Sequence, residues 1–306
     1  MIYEGEYSVI DAIKEKKRLI DAGKPHEHIK PLLFIDGGLM KGAYGAGAVA
    51  ALEALNYTKV FANVVGVSSG APTAAYFLSG EVEKGIRVYT EDVCKRKFIN
   101  VWRFWNQVNT FYVAGTLRGV TGKGVSSNKV LAAPSCLYIA VADFKTGKPI
   151  LLRPKTEEEL LTAIQASILM PNVSTDIVTF NDIRYVDGGF TRPHALFEAF
   201  NTVQATHVLV ITNQDKTITT IPWLERFLNN TIYRHRMPKP LRFAAHERKR
   251  ERMTAIERMK EADTPYALVW GDHSIRSMER DPKKVKAVIE KSRRWWHELL
   301  TNEPET

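Results

Sequence analysis

Short apolar runs that alternate with Ala- and Leu-rich stretches predict an α/β fold: a mostly parallel central sheet with helices on both faces. Residues 1–220 form the expected domain, with its core at about 32–212, and a basic, mainly helical extension over 221–306 packs on it. Two further observations agree. Glycine clusters sit at two strand-to-helix junctions, and the composition, 44% hydrophobic and 25% charged, is that of a globular chain able to bury such a core.

Along the chain, Pro31-Leu32-Leu33-Phe34-Ile35 is an apolar run that ends in Asp36-Gly37-Gly38, and Ala43 to Leu55 has strong helix propensity. Val64 to Val67 repeats the pattern, with a turn at Ser68-Ser69-Gly70 and a helix from Ala71 to Leu78. Further strands are expected at Leu137–Val141, Pro149–Leu152, Ile183–Val186 and His207–Thr212, with a helix at Glu157–Leu169. Between Glu81 and Val130 lie Tyr89, Phe98, Trp102, Phe104, Trp105, Phe111 and Tyr112, aromatic cover for the core from which an acyl groove can draw. After Thr220 come a strand at Tyr266–Trp270 and a last helix that starts at Asp281-Pro282, an N-cap with proline in the first turn.

Gly66-Val67-Ser68-Ser69-Gly70 fits the G-x-S-x-G nucleophile elbow, which exposes a serine hydroxyl on a tight strand-to-helix turn. Asp36-Gly37-Gly38-Leu39-Met40-Lys41-Gly42 sits at another such junction, where backbone N–H groups can converge on a small anion. A Walker loop is excluded because Lys41-Gly42 reverses the required order. Gly45-Ala46-Gly47-Ala48-Val49-Ala50 fits a dinucleotide fingerprint but falls inside the expected helix, so Gly45 and Gly47 read as close-packing residues. The third element is Val186-Asp187-Gly188-Gly189, an aspartate that closes a strand.

In this order the three elements resemble the patatin-like phospholipase family, with its glycine-rich oxyanion motif first, the elbow next and Asp-Gly-Gly last. Ala166-Ser167-Ile168-Leu169-Met170-Pro171, ahead of Asp187, and Pro193 after it extend the likeness across residues 32–212. The resemblance implies a three-layer α/β/α architecture and hydrolysis of acyl esters in phospholipids and related lipids by a Ser-Asp dyad, without cofactor or metal. Residue by residue, Ser68 is the nucleophile and Asp187 its base, Gly37, Gly38 and Leu39 supply the oxyanion hole, and Gly42, Gly66, Gly70, Gly188 and Gly189 are motif glycines. Leu39 stands where the family usually has a third glycine, and Lys41 where it usually has arginine, which leaves Lys41 as an anionic-headgroup contact without the planar fork. Leu39 also motivates the alternative of a catalytically impaired lipid-binding or regulatory protein. A Ser-His-Asp triad through His194 or His207 is the rival arrangement, disfavoured because Asp187 falls on the family's dyad position.

The net charge of +9 is concentrated in the tail, where Ile221 to Thr306 holds 19 Lys and Arg against 13 Asp and Glu. Such a field can draw the protein to anionic membrane, with Trp295 and Trp296 as aromatic anchors, whereas no nucleic-acid motif is present. The run His246 to Arg252 reads as a solvated helix face. Two cysteines, Cys94 and Cys136, give no disulfide framework, and the eight histidines show no metal spacing. The charged N-terminus lacks the apolar core of a secretory signal, and no run of about 18 apolar residues could span a bilayer. A cytoplasmic protein with at most peripheral membrane contact is expected. Oligomeric state, headgroup and chain length are not legible.

Overall fold

The computed structural model describes residues 1–100, 107–174, 177–217, 221, 223–231, 234–272 and 274–302. In chain order its elements are β1 (Ile2–Gly5), α1 (Ser8–Asp21), β2 (Pro31–Ile35), α2 (Ala43–Ala54), β3 (Asn63–Val67), α3 (Gly70–Ser79), α4 (Val82–Arg87), α5 (Thr110–Leu117), α6 (Ser127–Leu131), β4 (Cys136–Asp143) and β5 (Pro149–Leu152). There follow α7 (Glu157–Ser167), β6 (Val178–Phe180), β7 (Ile183–Asp187), α8 (Ala195–Thr202), β8 (His207–Ile211), α9 (Trp223–Asn230), α10 (Lys239–Lys260), β9 (Tyr266–Trp270) and α11 (Pro282–Thr301).

The strands form one mixed sheet in the order β1-β9-β8-β2-β3-β4-β7-β6, with β5 on β4. Its centre, β9-β8-β2-β3-β4, is parallel, as the strand–helix alternation predicts, and antiparallel strands β1, β5, β7 and β6 complete the edges. Side chains alternate between two cores because successive Cβ atoms leave opposite faces of a strand. On β2, Leu33 and Ile35 join the core under α1, α2, α3 and α11, while Leu32 and Phe34 join the core under α8 and α10. Three layers, α/β/α, result.

Helix α2 is buried from Ala43 through Leu52, as expected of a helix apolar all round, because α11 covers the side turned away from the sheet. Gly47 permits this: a Cβ there would fall on the Ile289 carbonyl and within 2.6 Å of Ser292 Cβ, and Ser292 Oγ donates to Tyr44 O at 2.7 Å. A Cβ at Gly45 would stand 3.1 Å from the Asn213 amide, a tight contact rather than an overlap. Both glycines are therefore packing residues, as read from the sequence. Helix α11 starts where expected, with the Asp281 carboxylate accepting from Lys283 N–H at 2.9 Å.

Two readings of the tail are corrected. Trp296 is fully buried and Trp295 packs half-buried against the core, so this pair cannot anchor the protein in lipid. Residues 246–252 do not form a simple solvated face either: Arg248, Lys249 and Arg252 line a cleft, because this part of α10 passes the C-terminal end of β2, where Arg252 meets Asp36. Among the aromatics of the 81–130 stretch, Tyr89 and Phe98 are buried and Phe111 is exposed, whereas Trp102, Phe104 and Trp105 lie outside the described residues.

Candidate active site

Sheet register explains how two residues 119 apart in sequence meet. Strand β3 runs parallel to β4 as far as the pair Val67↔Ala140, and β7 runs antiparallel to β4 as far as Asp187↔Val141. Both lie on the edge of β4 opposite β5 and arrive from opposite directions at neighbouring residues. Ser68 and Asp187 therefore face each other head to head. Ser68 Oγ donates to Asp187 Oδ2 at 2.6 Å, with the serine 7% and the aspartate 2% exposed.

Each partner is held by the backbone around it. Ser68 adopts φ +52°, a left-handed conformation unusual for a non-glycine residue and common at sharp functional turns. Its N–H donates to Ser167 Oγ at 2.9 Å, and Ser167 Oγ donates to Ala140 O at 2.7 Å, which ties the elbow to β4. The turn fits only without side chains at its flanks: a Cβ at Gly66 would lie 2.6 Å from Ala71 Cα, and one at Gly70 would strike the Ile35 carbonyl. Asp187 Oδ1 accepts from Gly189 N–H at 2.7 Å, and a Cβ at Gly188 would strike Ala140 O. Burial pushes the Asp187 carboxyl up to about 6, against the opposing hydrogen bonds from Ser68 and Gly189.

The glycine loop after β2 passes directly over the serine, since a Cβ at Gly37 would lie 2.6 Å from Ser68 Cβ. Gly37 N–H donates to Asp36 Oδ1 at 2.7 Å. Gly38 and Leu39 N–H have no protein acceptor among the described residues, whereas Met40 N–H is taken by Ser277 O and Lys41 N–H by Gly38 O. Leu39 sits at φ +52°, where glycine is favoured, and its side chain borders both cavities described below.

What holds this loop lies far along the chain and carries no local signature. Asp36 is buried and pairs through Oδ2 with Arg252 Nε of α10 at 2.7 Å, an ion pair spanning 216 residues. Asn213, after β8, donates from Nδ2 to Asp36 O at 2.6 Å and accepts from Gly45 N–H at 2.7 Å, and Gln214 Nε2 donates to Gly37 O at 2.9 Å. The loop is thus clamped from both sides. A buried carboxylate needs a paired, hydrogen-bonded cation, and Arg252 supplies one.

Two cavities open at the serine. A cleft of 540 Å³, lined by Ser68, Asp187, Gly38 and Leu39, has a cationic wall of Lys41, Arg248, Lys249 and Arg252. Arg248 pairs with Glu225 at 2.8 Å. Lys41 is 8% exposed and has no hydrogen-bond or ion-pair partner among the described residues; burial lowers its pKa. Burial, and after it Arg248, pushes Lys249 down to about 8. On the other side of Ser68 lies a narrow apolar cavity of 60 Å³ between α2, α3 and the following helical turns, walled by Val49, Tyr76, Ile86, Tyr89 and Phe98.

Neither histidine considered for a triad hydrogen-bonds Ser68 or Asp187. His207 opens β8, at the opposite end of that strand from the cleft, and contacts Thr206 Oγ1. His194 caps α8, its Nδ1 accepting from Leu196 N–H at 3.2 Å, and its Nε2 stands 3.9 Å from Asp36 Oδ1. Burial pushes His194 down to about 4, so it is neutral at pH 7.

The sequence model of the patatin-like phospholipases matches residues 33–200, more than half of the chain. The chain belongs to the patatin-like phospholipase family. This places it among lipid acyl hydrolases, and the three-layer fold agrees. No relative was found among curated proteins. Ser68 and Asp187 fall inside the patatin-like match, whereas Asn213 and the basic wall of α10 fall outside it. No helix among the described residues is long and apolar enough to cross a membrane.

Proposed function

We propose that the protein hydrolyses carboxylic esters of phospholipids or related lipids through a Ser68–Asp187 dyad. The observation that carries this reading is the 2.6 Å hydrogen bond between Ser68 Oγ and Asp187 Oδ2 at the end of a strained elbow. Asp187, ionised above pH 6, accepts the Ser68 proton as Oγ attacks the ester carbonyl. The oxyanion that forms is held by the N–H groups of Gly38 and Leu39, which have no protein acceptor among the described residues. Asp187 returns the proton to the leaving alcohol, and water then cleaves the acyl-enzyme by the same steps in reverse order. Water is a far better solvator of carboxylate than this pocket, and the raised Asp187 pKa makes it a stronger base than an exposed aspartate.

The two cavities support a division of the substrate. The acyl chain enters the apolar side, whose 60 Å³ is well below the roughly 300 Å³ of an ordinary ligand pocket, so a long chain must displace side chains such as Tyr89 and Phe98. An anionic headgroup lies on the cationic side, where the buried Lys41 ammonium and Lys249 give it charge-assisted hydrogen bonds. The test is hydrolysis of p-nitrophenyl butyrate and of a phospholipid by the wild type and by Ser68→Ala and Asp187→Ala. Both variants are expected to fold and to lose activity by 10³-fold or more. Substantial turnover by either variant contradicts the dyad.

A further inference from the structure

Helix α9 turns two large apolar side chains to solvent: Trp223 is 77% and Phe227 54% exposed. Four residues apart, they share one face of the helix. The opposite side belongs to the cleft. Glu225 is held by Arg248 of α10, and Asn229 is fully buried and lines the cleft with Ser68 and Asp187. Neither polar atom of the Asn229 amide has a hydrogen-bond partner among the described residues, an unfavourable arrangement that a polar substrate group would relieve. One short helix thus joins an outward apolar face to an inward wall of the candidate active site.

The charge around the apolar face says what covers it. The exposed charged side chains of α9 and of the adjoining 3₁₀ turn Arg234–Arg236 are Arg226 and Arg234, and none of the exposed described residues of the two elements is acidic. Ile177, 57% exposed, shares a surface groove with His235 and Arg236. Aromatic and aliphatic side chains ringed by cations match the boundary of an anionic bilayer, where rings sit among headgroups and cations meet lipid phosphates. A protein partner would have to supply both an apolar pocket and acidic groups, and nothing in the fold requires one.

We infer that α9 is the element by which the protein docks on an anionic lipid surface, with Trp223 and Phe227 entering the headgroup region and the mouth of the cleft turned toward the bilayer. The inference rests on the lipid-hydrolase reading for its substrate but not for its test, because docking is read in Ser68→Ala protein, which leaves the lipid intact. Attraction reaches only about 8 Å at physiological ionic strength, so docking is salt-sensitive.

The experiment is co-sedimentation of Ser68→Ala protein with sucrose-loaded vesicles of phosphatidylcholine, alone or mixed with phosphatidylglycerol, at low and high salt. The parent is expected to partition to the phosphatidylglycerol vesicles at low salt, and adding Trp223→Ser and Phe227→Ser together should weaken partition by about tenfold or more. Adding Arg226→Gln and Arg234→Gln should reduce the preference for anionic lipid. A second measurement needs no loss of binding: brominated phosphatidylcholine within the anionic vesicles should quench the parent's Trp fluorescence more than that of Trp223→Phe. Undiminished partition of the double variant, equal quenching, or absence of parent binding to any vesicle overturns the inference. So does a dimer in the parent that the double variant dissociates while vesicle binding persists, since the face would then belong to a second copy. An inactive wild-type enzyme would refute the dyad and leave this result untouched.

Discussion

Replacing Asp187 by asparagine is expected to remove activity and at the same time stabilise the fold. Burial raises the Asp187 carboxyl from 3.8 to about 6, so the folded protein binds this proton more tightly than the unfolded chain does. A folded-state pKa above the unfolded one contributes stability below about pH 4 that is lost as pH rises through 6. At pH 8 the ionised, desolvated carboxylate therefore costs the fold. The rise from 3.8 to about 6, at ~1.4 kcal/mol for each tenfold gain in proton affinity, sets the size of this cost at about 3 kcal/mol. Asparagine has the same shape and no charge: its oxygen still accepts from Gly189 N–H, and its NH₂ donates to Ser68 Oγ, which accepts as readily as it donates. Thermal unfolding at pH 8 should move up by roughly 5 °C for Asp187→Asn relative to the wild type. The gap should close toward pH 3, below both the unfolded and the folded value, where the wild-type carboxyl is protonated in both states. A destabilised variant at pH 8, or a gap of the same size at both pH values, would refute the claim that this carboxylate is desolvated.

Other expectations follow from neighbouring groups. Arg252→Met strands the buried Asp36 carboxylate and should lower stability by about 3–5 kcal/mol, with kcat falling more than KM rises because the oxyanion loop loses its clamp; Arg252→Lys should recover part of both, measured by denaturant unfolding and steady-state kinetics. Leu39→Gly relieves a left-handed leucine by roughly 1 kcal/mol and opens the border between the two cavities, so turnover of bulky esters should hold or rise, and a collapse would show that the leucine side chain acts positively. The profile of kcat/KM against pH should climb through about 6 as Asp187 loses its proton, and His194→Gln should retain activity within about tenfold. A loss of 10³ in that histidine variant would restore the triad.

How much of this was legible in the sequence depended on how local each feature is. Runs such as Leu32–Ile35 and Val64–Val67 declare themselves as strands because buried parallel strands are apolar on both faces. Strands β1 and β6 do not, since Ile2–Gly5 and Val178–Phe180 are short and borrow their conformation from the β9 and β7 partners they pair with. Motifs single out Ser68 and Asp187, but their meeting follows from the register on β4, which no local pattern encodes. The largest gap was Arg252. Within a charged run it looks like its neighbours Arg250 and Glu251, and only the packing of α10 beside the end of β2 sends its guanidinium to Asp36. Trp295 and Trp296 show the opposite case, because aromatic content alone suggests an interface whereas the helical spacing of Val285, Val288 and Ile289 puts α11 on the core.

The central claim, a nucleophilic Ser68 activated by Asp187 alone, is tested most directly by labelling with a fluorophosphonate and locating the adduct by mass spectrometry. Phosphonylation of Ser68 in the wild type and in the His194→Gln and His207→Gln variants, at a rate that rises through about pH 6 and is lost in Asp187→Asn, is the predicted result. An unlabelled wild-type protein, an adduct on another serine, or labelling that depends on either histidine would contradict it.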